Sequence, residues 1–169
     1  MKKIFFSLIC AVFSVATPLE FKTLNADFTQ TVKSQDSKIT YSGNFVATNK
    51  NAFWHYETPN LKDIYFSLEK VVVIEPDLEQ AIITSVKEVP NITNILQNAK
   101  QDKNGNFLAE FDDIKYSIKI ENDKISKINY TDKMDNEVEL KFTNLKKNEE
   151  IENSLFIPQI PNNFDIITQ

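Results

Sequence analysis

Apolar and polar residues alternate with a period of two through most of the chain after residue 26. Such alternation is typical of β-strands that bury one face and expose the other. The clearest runs are residues 39–47, 64–68, 107–111, 114–121 and 137–142. Short turn sequences, such as Thr58-Pro59-Asn60 and Asn104-Gly105-Asn106, separate these runs at even spacing. The pattern therefore predicts a mainly β chain with nine to eleven strands between Asp27 and Thr168, in an antiparallel sandwich or barrel.

Two stretches depart from the strand pattern. In the first, within residues 89–100, apolar residues recur at helical spacing and predict an amphipathic helix. Its apolar stripe consists of Ile92, Ile95, Leu96 and Ala99. Pro90 and Asn91 suit the first turn of this helix. The second stretch, residues 19–24, allows a short N-terminal helix. A single helix in an all-β chain must lie on the apolar face of a curved sheet or over its open mouth.

The N-terminus has the organisation of a secretory signal peptide. Met1-Lys2-Lys3 is positively charged, residues 4–15 are apolar apart from two serines, and small residues stand at Ser14 and Ala16. About a dozen apolar residues are too few to cross a membrane as a helix. We therefore expect residues 1–16 to be a cleaved signal peptide and residues 17–169 to form one domain.

Composition narrows the functions that this domain supports. All 19 basic residues are lysines; without Lys2 and Lys3, 17 lysines face 24 acidic residues, a net charge of −7. Without arginine such an acidic chain lacks the usual phosphate clamp, so we expect no nucleic-acid partner. Gly43 and Gly105 are the only glycines, which excludes a glycine-rich phosphate loop. The one cysteine, Cys10, lies in the predicted signal peptide, so the domain has no disulfide.

Candidate catalytic and metal-binding residues are few. His55 is the only histidine, it lies in an aromatic strand, and no glycine-flanked serine accompanies it, which argues against a catalytic triad. One histidine without cysteine argues against a zinc site, and residues 102–106 fit a hairpin turn better than a calcium loop. A pair of carboxylates from distant strands stays open, although Glu75, Asp77 and Glu79 favour a solvated turn. We expect no catalytic residue, metal or cofactor.

Five short motifs follow one another along the chain. They are Leu24-Asn25-Ala26-Asp27-Phe28-Thr29-Gln30, Gly43-Asn44-Phe45, Trp54-His55-Tyr56-Glu57-Thr58-Pro59, Ile74-Glu75-Pro76-Asp77-Leu78-Glu79-Gln80 and Phe156-Ile157-Pro158-Gln159-Ile160-Pro161. In this order, behind a predicted signal peptide, they resemble the motifs of the periplasmic outer-membrane lipoprotein carrier family, LolA. The resemblance covers nearly the whole predicted domain.

The resemblance implies a fold and a function. The fold is an unclosed antiparallel β-barrel with a helical lid over a hydrophobic cavity, and residues 91–100 fall where the lid helix would be. The function is that of a periplasmic carrier, a monomer that takes up the acyl chains of lipoproteins released from the inner membrane by an ABC-type complex. The carrier then delivers this cargo to the outer membrane, through a receptor or directly.

The strand alternation and the resemblance together suggest which side chains contact the lipid. The hypothesis for the cavity lining is Phe45, Trp54, Phe66, Phe107, Phe111, Tyr116 and Ile118. The hypothesis for the lid is Ile92, Ile95, Leu96 and Ala99. Which face of each strand points inward is not fixed by the sequence.

One departure from the family concerns the lid. The family usually has an arginine before a proline, linked to holding the lid closed, where this chain has Thr48-Asn49-Lys50-Asn51. Lys50 is the nearest substitute, but its ammonium lacks the planar fork of a guanidinium. Three other functions stay open: a carrier of another lipid, such as a glycolipid; a periplasmic sensor or interaction module that holds no lipid; and an enzyme.

Overall fold

A computed structural model describes residues 19–85 and 92–169, and these residues form a twelve-stranded sheet with one α-helix. The strands are β1 (Thr23–Lys33), β2 (Lys38–Thr48), β3 (Ala52–Thr58), β4 (Lys62–Phe66), β5 (Lys70–Glu75), β6 (Gln80–Ser85), β7 (Lys100–Gln101), β8 (Phe107–Phe111), β9 (Ile114–Glu121), β10 (Lys124–Thr131), β11 (Glu137–Lys147) and β12 (Asp165–Thr168). The helix, α1, spans Ile92–Asn98. Short 3₁₀ turns occur at Pro76–Leu78 and Asn153–Phe156.

The sheet is open, and the helix connects its two sides. Its strand order is β12-β6-β5-β4-β3-β2-β1-β11-β10-β9-β8-β7. β6 and β7 are consecutive in the chain but lie at opposite sides of the sheet, and α1 lies between them in sequence. Among the described strands no pairing joins β7 to β12, so the barrel does not close. Two connections join strands that are not neighbours in the sheet: α1 lies in the connection from β6 to β7, and residues 148–164 connect β11 to β12.

The sheet curls strongly. β4 and β9 are six positions apart in the strand order, which would separate them by about 29 Å in a flat sheet. Yet Phe66 of β4 and Tyr116 of β9 line the same small cavity and belong to one core cluster. The face that carries this cluster is therefore concave, and we call it the inner face. Ile95 and Leu96 of α1 are buried in the same cluster.

A second, smaller core lies on the outer face. Tyr65, Val72, Ile74 and Ala81 form it. Ile160 and Phe164, from the segment that leads to β12, pack against these side chains. The C-terminal segment thus covers the outer face of β4 to β6 and then adds β12 to the edge. The predicted mainly β, unclosed half-barrel with a helix is confirmed by this arrangement.

Some expectations need correction. The sheet has twelve strands where nine to eleven were expected, because β7 has only two residues and all four residues of β12 are exposed and show no alternation. β12 pairs with β6 in parallel, so the sheet is not wholly antiparallel. Residues 19–22 are not helical, and strand β1 begins at Thr23. Helix α1 ends at Asn98, before the expected residue 100.

Other expectations concern turns and the termini. Residues 102–106 form the expected hairpin turn, in which the Asp102 carboxylate accepts hydrogen bonds from the backbone N–H groups of Asn104 and Asn106 at 2.8 and 2.9 Å. The signal peptide at residues 1–16 and the helix start at Pro90 and Asn91 lie outside the described residues. No helix among residues 19–85 and 92–169 combines the length and apolar character needed to cross a membrane.

Candidate functional site

A small cavity lies between α1 and the inner face. Its volume is about 110 Å³, and it is lined by Gln30, Trp54, Tyr56, Ile64, Phe66, Ile92, Ile95, Tyr116, Tyr130 and Leu140. Pockets that hold even drug-sized ligands have volumes of roughly 300–1,000 Å³. In this structure the side chains of Ile92 and Ile95 therefore occupy much of the space between α1 and the inner face.

Aromatic rings form one wall of the cavity. The Trp54 ring lies 4.1 Å from the Phe45 ring, centroid to centroid, and the edge-to-face Phe28–Trp54 distance is 4.9 Å. Tyr56 makes a further edge-to-face contact with Phe28 at 4.9 Å. These contacts follow from register, because Phe45 of β2 is paired directly with Trp54 of β3. Alternation then carries Tyr56, two residues on, to the same face.

The helix presents its apolar stripe to the sheet. Ile92, Ile95 and Leu96 are buried, whereas Asn94 and Gln97 are exposed. A seven-residue helix is not stable alone in water, so its position depends on this packing. Moving the helix away from the sheet would therefore break mainly the apolar contacts of this one face. Such a limited contact is typical of a segment that can open locally.

A wider groove lies at the other end of the helix. Leu96 and Ala99 of the helix segment line it with Phe107, Leu19 and Phe21. Its volume is about 880 Å³, and its lining also includes polar residues at the surface. The two ends of the helix therefore differ: Ile92 and Ile95 line the small cavity, and Ala99 lies beside the larger groove.

Polar groups lie at one side of the cavity; Gln30, Tyr56, Tyr116 and Tyr130 line it, and Tyr41 and Lys62 lie next to them. The Tyr56 hydroxyl donates a hydrogen bond to Gln30 Oε1 at 3.0 Å. The Lys62 ammonium lies 4.6 Å from the centroid of the Tyr56 ring and 5.6 Å from that of Tyr41. The Tyr116 and Tyr130 rings are 4.8 Å apart. We call these six residues, Gln30, Tyr41, Tyr56, Lys62, Tyr116 and Tyr130, the tyrosine rim.

Burial disfavours ionisation of three of the rim hydroxyls, those of Tyr56, Tyr116 and Tyr130. It raises the pKa of Tyr116 to about 12, and it raises the pKa of Tyr56 and of Tyr130 above the usual value. At neutral pH these groups are therefore hydrogen-bond donors rather than phenolates. The Tyr116 side chain is only 2% exposed, and its hydroxyl has no hydrogen-bond partner among the described residues.

The structure places the predicted lining residues on one face but not all at the cavity. Trp54, Phe66 and Tyr116 line it. The remaining four pack in the same inner-face cluster without bordering the cavity, and they are Phe45, Phe107, Phe111 and Ile118. Of the predicted lid residues, Ile92 and Ile95 line the cavity, while Leu96 and Ala99 pack on the inner face and border the open groove.

Five lining residues were missed by the sequence analysis: Gln30, Tyr56, Ile64, Tyr130 and Leu140. Alternation offered a signal for two of them, because Tyr56 follows Trp54 by two residues and Ile64 precedes Phe66 by two. Gln30 carried no such signal, since a polar residue at an inward position breaks the apolar pattern.

The lysine considered as a substitute for the family arginine does not hold helix α1 against the sheet. Lys50 is exposed on the turn between β2 and β3, and in the described part of the chain its side chain makes no hydrogen bond or ion pair. Its backbone N–H donates to Thr48 Oγ1 at 3.2 Å, within the turn. The helix is instead held by its buried apolar residues, Ile92, Ile95 and Leu96.

Residues weighed for catalysis lie elsewhere. His55 Nδ1 is 2.6 Å from Asp63 Oδ1, a cross-strand pair on the outer face. The Glu75 carboxylate accepts a hydrogen bond from Gln80 Nε2 at 2.7 Å, next to the exposed turn. Within residues 19–85 and 92–169, no group of three or more His, Cys, Asp or Glu side chains is placed to hold a metal ion.

Comparison with known proteins gives consistent matches. The family model described as "Outer membrane lipoprotein carrier protein LolA" matches residues 20–110. An outer-membrane lipoprotein carrier protein of Campylobacter jejuni subsp. jejuni is 38% identical, with 99% of each chain covered. One of Wolinella succinogenes is 32% identical, with 87% of each chain covered.

Solved structures match in fold. An uncharacterized conserved protein from Thermus thermophilus has a TM-score of 0.54 at 9% identity, over 89% of this chain and 93% of that one. A LolA superfamily protein from Nitrosomonas europaea has a TM-score of 0.50 at 10% identity, over 81% of this chain and 90% of that one. At such identities the likeness concerns the fold alone.

Proposed function

The chain belongs to the LolA family of outer-membrane lipoprotein carrier proteins, and we propose that it carries lipoproteins across the periplasm with their acyl chains held between α1 and the inner face. The observation that carries the proposal is an extensive apolar inner face, curled around a cavity and covered by one short helix. Residues 1–16 act as the signal peptide in this proposal, and residues 17–169 as the carrier domain.

The size of the apolar cargo explains why such a site is needed. Each methylene removed from water contributes roughly 0.8 kcal/mol, so about forty methylenes of a triacylated lipoprotein make unaided departure from a membrane cost on the order of 30 kcal/mol. A carrier must recover much of this free energy. A face built from aromatic and aliphatic side chains does so without making or breaking a covalent bond, so we expect no enzymatic activity.

Loading requires the helix to move. The closed cavity of about 110 Å³ is too small for several acyl chains. Displacing Ile92, Ile95 and Leu96 would expose the inner face and join the cavity to the groove beside Ala99. Because α1 is short and held by apolar packing, acyl chains can replace its contacts with contacts of the same kind. Exchange then has a modest net cost.

A carrier that crosses the periplasm needs a donor at the inner membrane and an acceptor at the outer membrane. We propose that an ABC-type complex of the inner membrane supplies the lipoprotein. We further propose that an outer-membrane receptor, or the outer membrane itself, accepts it. The acceptor must bind the acyl chains more tightly than the carrier does, because transfer without an energy source runs toward the tighter site.

The experiment is a release assay. The protein is incubated with inner membranes that contain labelled lipoprotein and the energised release complex, and the soluble fraction is searched for a carrier–lipoprotein complex of one-to-one stoichiometry. We expect the complex to form only when both the carrier and ATP are present. Absence of the complex, or a different lipid identified by mass spectrometry in protein purified from the periplasm, would favour another carrier function.

A further inference from the structure

The tyrosine rim occupies one end of the inner face. Successive strands run in opposite directions, so the turns at residues 34–37, 59–61, 112–113 and 132–136 all lie at the same end of the sheet. Each rim residue lies within four positions of one of these turns; the six are Gln30, Tyr41, Tyr56, Lys62, Tyr116 and Tyr130. Topology therefore gathers these polar side chains around one mouth of the curled sheet.

The opposite end of the inner face has a different character. Leu24, Ala26, Ala47, Ala52 and Leu145 cover it, and all are buried and apolar. The inner face is therefore polarised along the strands, from hydrogen-bonding groups at one end to hydrocarbon at the other. A fatty acyl ester has the same polarity, with a carbonyl group at one end of a long hydrocarbon chain.

The Tyr116 hydroxyl lacks a hydrogen-bond acceptor among the described residues. Tyr116 lines the cavity, and this hydroxyl is buried. Buried hydroxyls in folded proteins nearly always have partners, so one without a partner calls for an explanation. A buried donor hydroxyl on a residue that lines the cavity has the chemistry to bind an acceptor carried in by a ligand.

A carbonyl oxygen suits the other rim groups as well. The Lys62 ammonium lies over two tyrosine rings, and in the described part of the chain it forms no ion pair with a carboxylate. The Gln30 amide, which accepts from Tyr56, carries N–H donors of its own. The rim thus offers several donors within a small area.

We propose that the tyrosine rim binds the ester carbonyl oxygens of the cargo's glyceryl-linked acyl chains, with the Tyr116 hydroxyl donating one of the hydrogen bonds. The acyl chains then run toward the Leu24 end, and the protein part of the cargo leaves at the rim. This inference rests on the proposed function, because it assigns an orientation to the acyl chains that the carrier holds.

The test measures the affinities of two ligands for the unaltered protein and for two variants. The ligands are a tripalmitoylated S-glyceryl-cysteine lipopeptide and the same lipopeptide with ether links in place of its two glyceryl esters. The variants are Tyr116→Phe and, as a matched control on the outer face, Tyr65→Phe. Calorimetric titration gives each dissociation constant, and thermal unfolding of the ligand-free protein gives stability.

We expect Tyr116→Phe to weaken binding of the ester lipopeptide by about two- to tenfold, the range for one neutral hydrogen bond, and to leave binding of the ether lipopeptide unchanged. Its unfolding midpoint should stay the same or rise, because the lost hydroxyl has no partner in the described part of the ligand-free protein. Tyr65→Phe should leave both affinities unchanged.

Three outcomes would overturn the proposal, and they are distinguishable. If Tyr116→Phe weakens the binding of both ligands equally, the residue contributes packing rather than a hydrogen bond to a carbonyl group. If Tyr116→Phe changes neither affinity, the rim does not bind the ester carbonyl groups. If the unaltered protein binds neither lipopeptide, the proposed carrier function fails and the rim assignment fails with it.

Discussion

Replacing Ile95 by aspartate is expected to lower the affinity for a triacylated lipopeptide at least tenfold. Ile95 is 3% exposed, lies at the centre of the apolar stripe of α1 and lines the cavity. A carboxylate there is excluded from the closed form, because burying an unpaired charge costs several kcal/mol. It is excluded equally from a form in which the helix covers acyl chains. The variant therefore loses the cover in both states, and the bound chains are exposed to water.

The matched control is Asn94→Asp on the same helix. Asn94 is exposed, so the control adds the same charge to the same element without burying it. Its affinity should remain within about a factor of two of the unaltered protein, as expected for an exposed surface substitution. Lipopeptide titration measures both, and circular dichroism confirms that the sheet is retained. Unchanged capture by Ile95→Asp would show that the helix is not a lid.

Replacing Gly43 by alanine is expected to destabilise the fold by more than about 3 kcal/mol or to prevent folding. A Cβ atom at Gly43 would lie 1.8 Å from the His55 backbone oxygen and 2.9 Å from its carbonyl carbon. Both atoms belong to the backbone of β3, so no side-chain rotation can relieve the clash. β2 and β3 would have to separate where they bring Phe45 against Trp54.

Gly105→Ala is the comparison for this effect. Gly105 has a positive φ of 85°, and the nearest atom to an added Cβ is the end of the Gln101 side chain at 3.9 Å. Alanine there meets only backbone strain of about 1 kcal/mol. Urea unfolding monitored by the fluorescence of Trp54 measures both variants. Equal stabilities for the two variants would refute the close approach of β2 and β3.

The sequence was sufficient to predict which side chains share a face within each strand, but neither which of the two faces points inward nor the cavity. Period-two alternation predicts which residues of one strand share a face, because side-chain direction in a strand is a local property; that Phe45, Trp54 and Phe66 of three strands share the inner face follows from the register between those strands. Which of them borders empty space depends on where α1 sits, and that depends on contacts between distant parts of the chain. Ile118, for example, is completely buried and does not border the cavity, whereas Tyr116, two residues earlier, lines it.

Other features escaped prediction for related reasons. Tyr130 and Leu140 reach the cavity only because β10 and β11 pair in one register, and a single sequence does not give register between strands. Strand β12 has four exposed residues and pairs in parallel with β6, far from it in the chain. The resemblance to the LolA family predicted a helix at this place in the chain, but the sequence did not show that buried apolar side chains, rather than Lys50, hold this helix against the sheet.

The entry of acyl chains beneath the helix is the central claim, and Trp54 allows it to be tested directly. It is the only tryptophan in the chain, and its ring lines the cavity. Bromine atoms quench tryptophan fluorescence only at short range, so a lipopeptide with brominated acyl chains reports contact. We expect this lipopeptide to quench Trp54 strongly and saturably, while the unbrominated lipopeptide binds with equal affinity and does not. Binding of both with no difference in Trp54 emission would contradict the account.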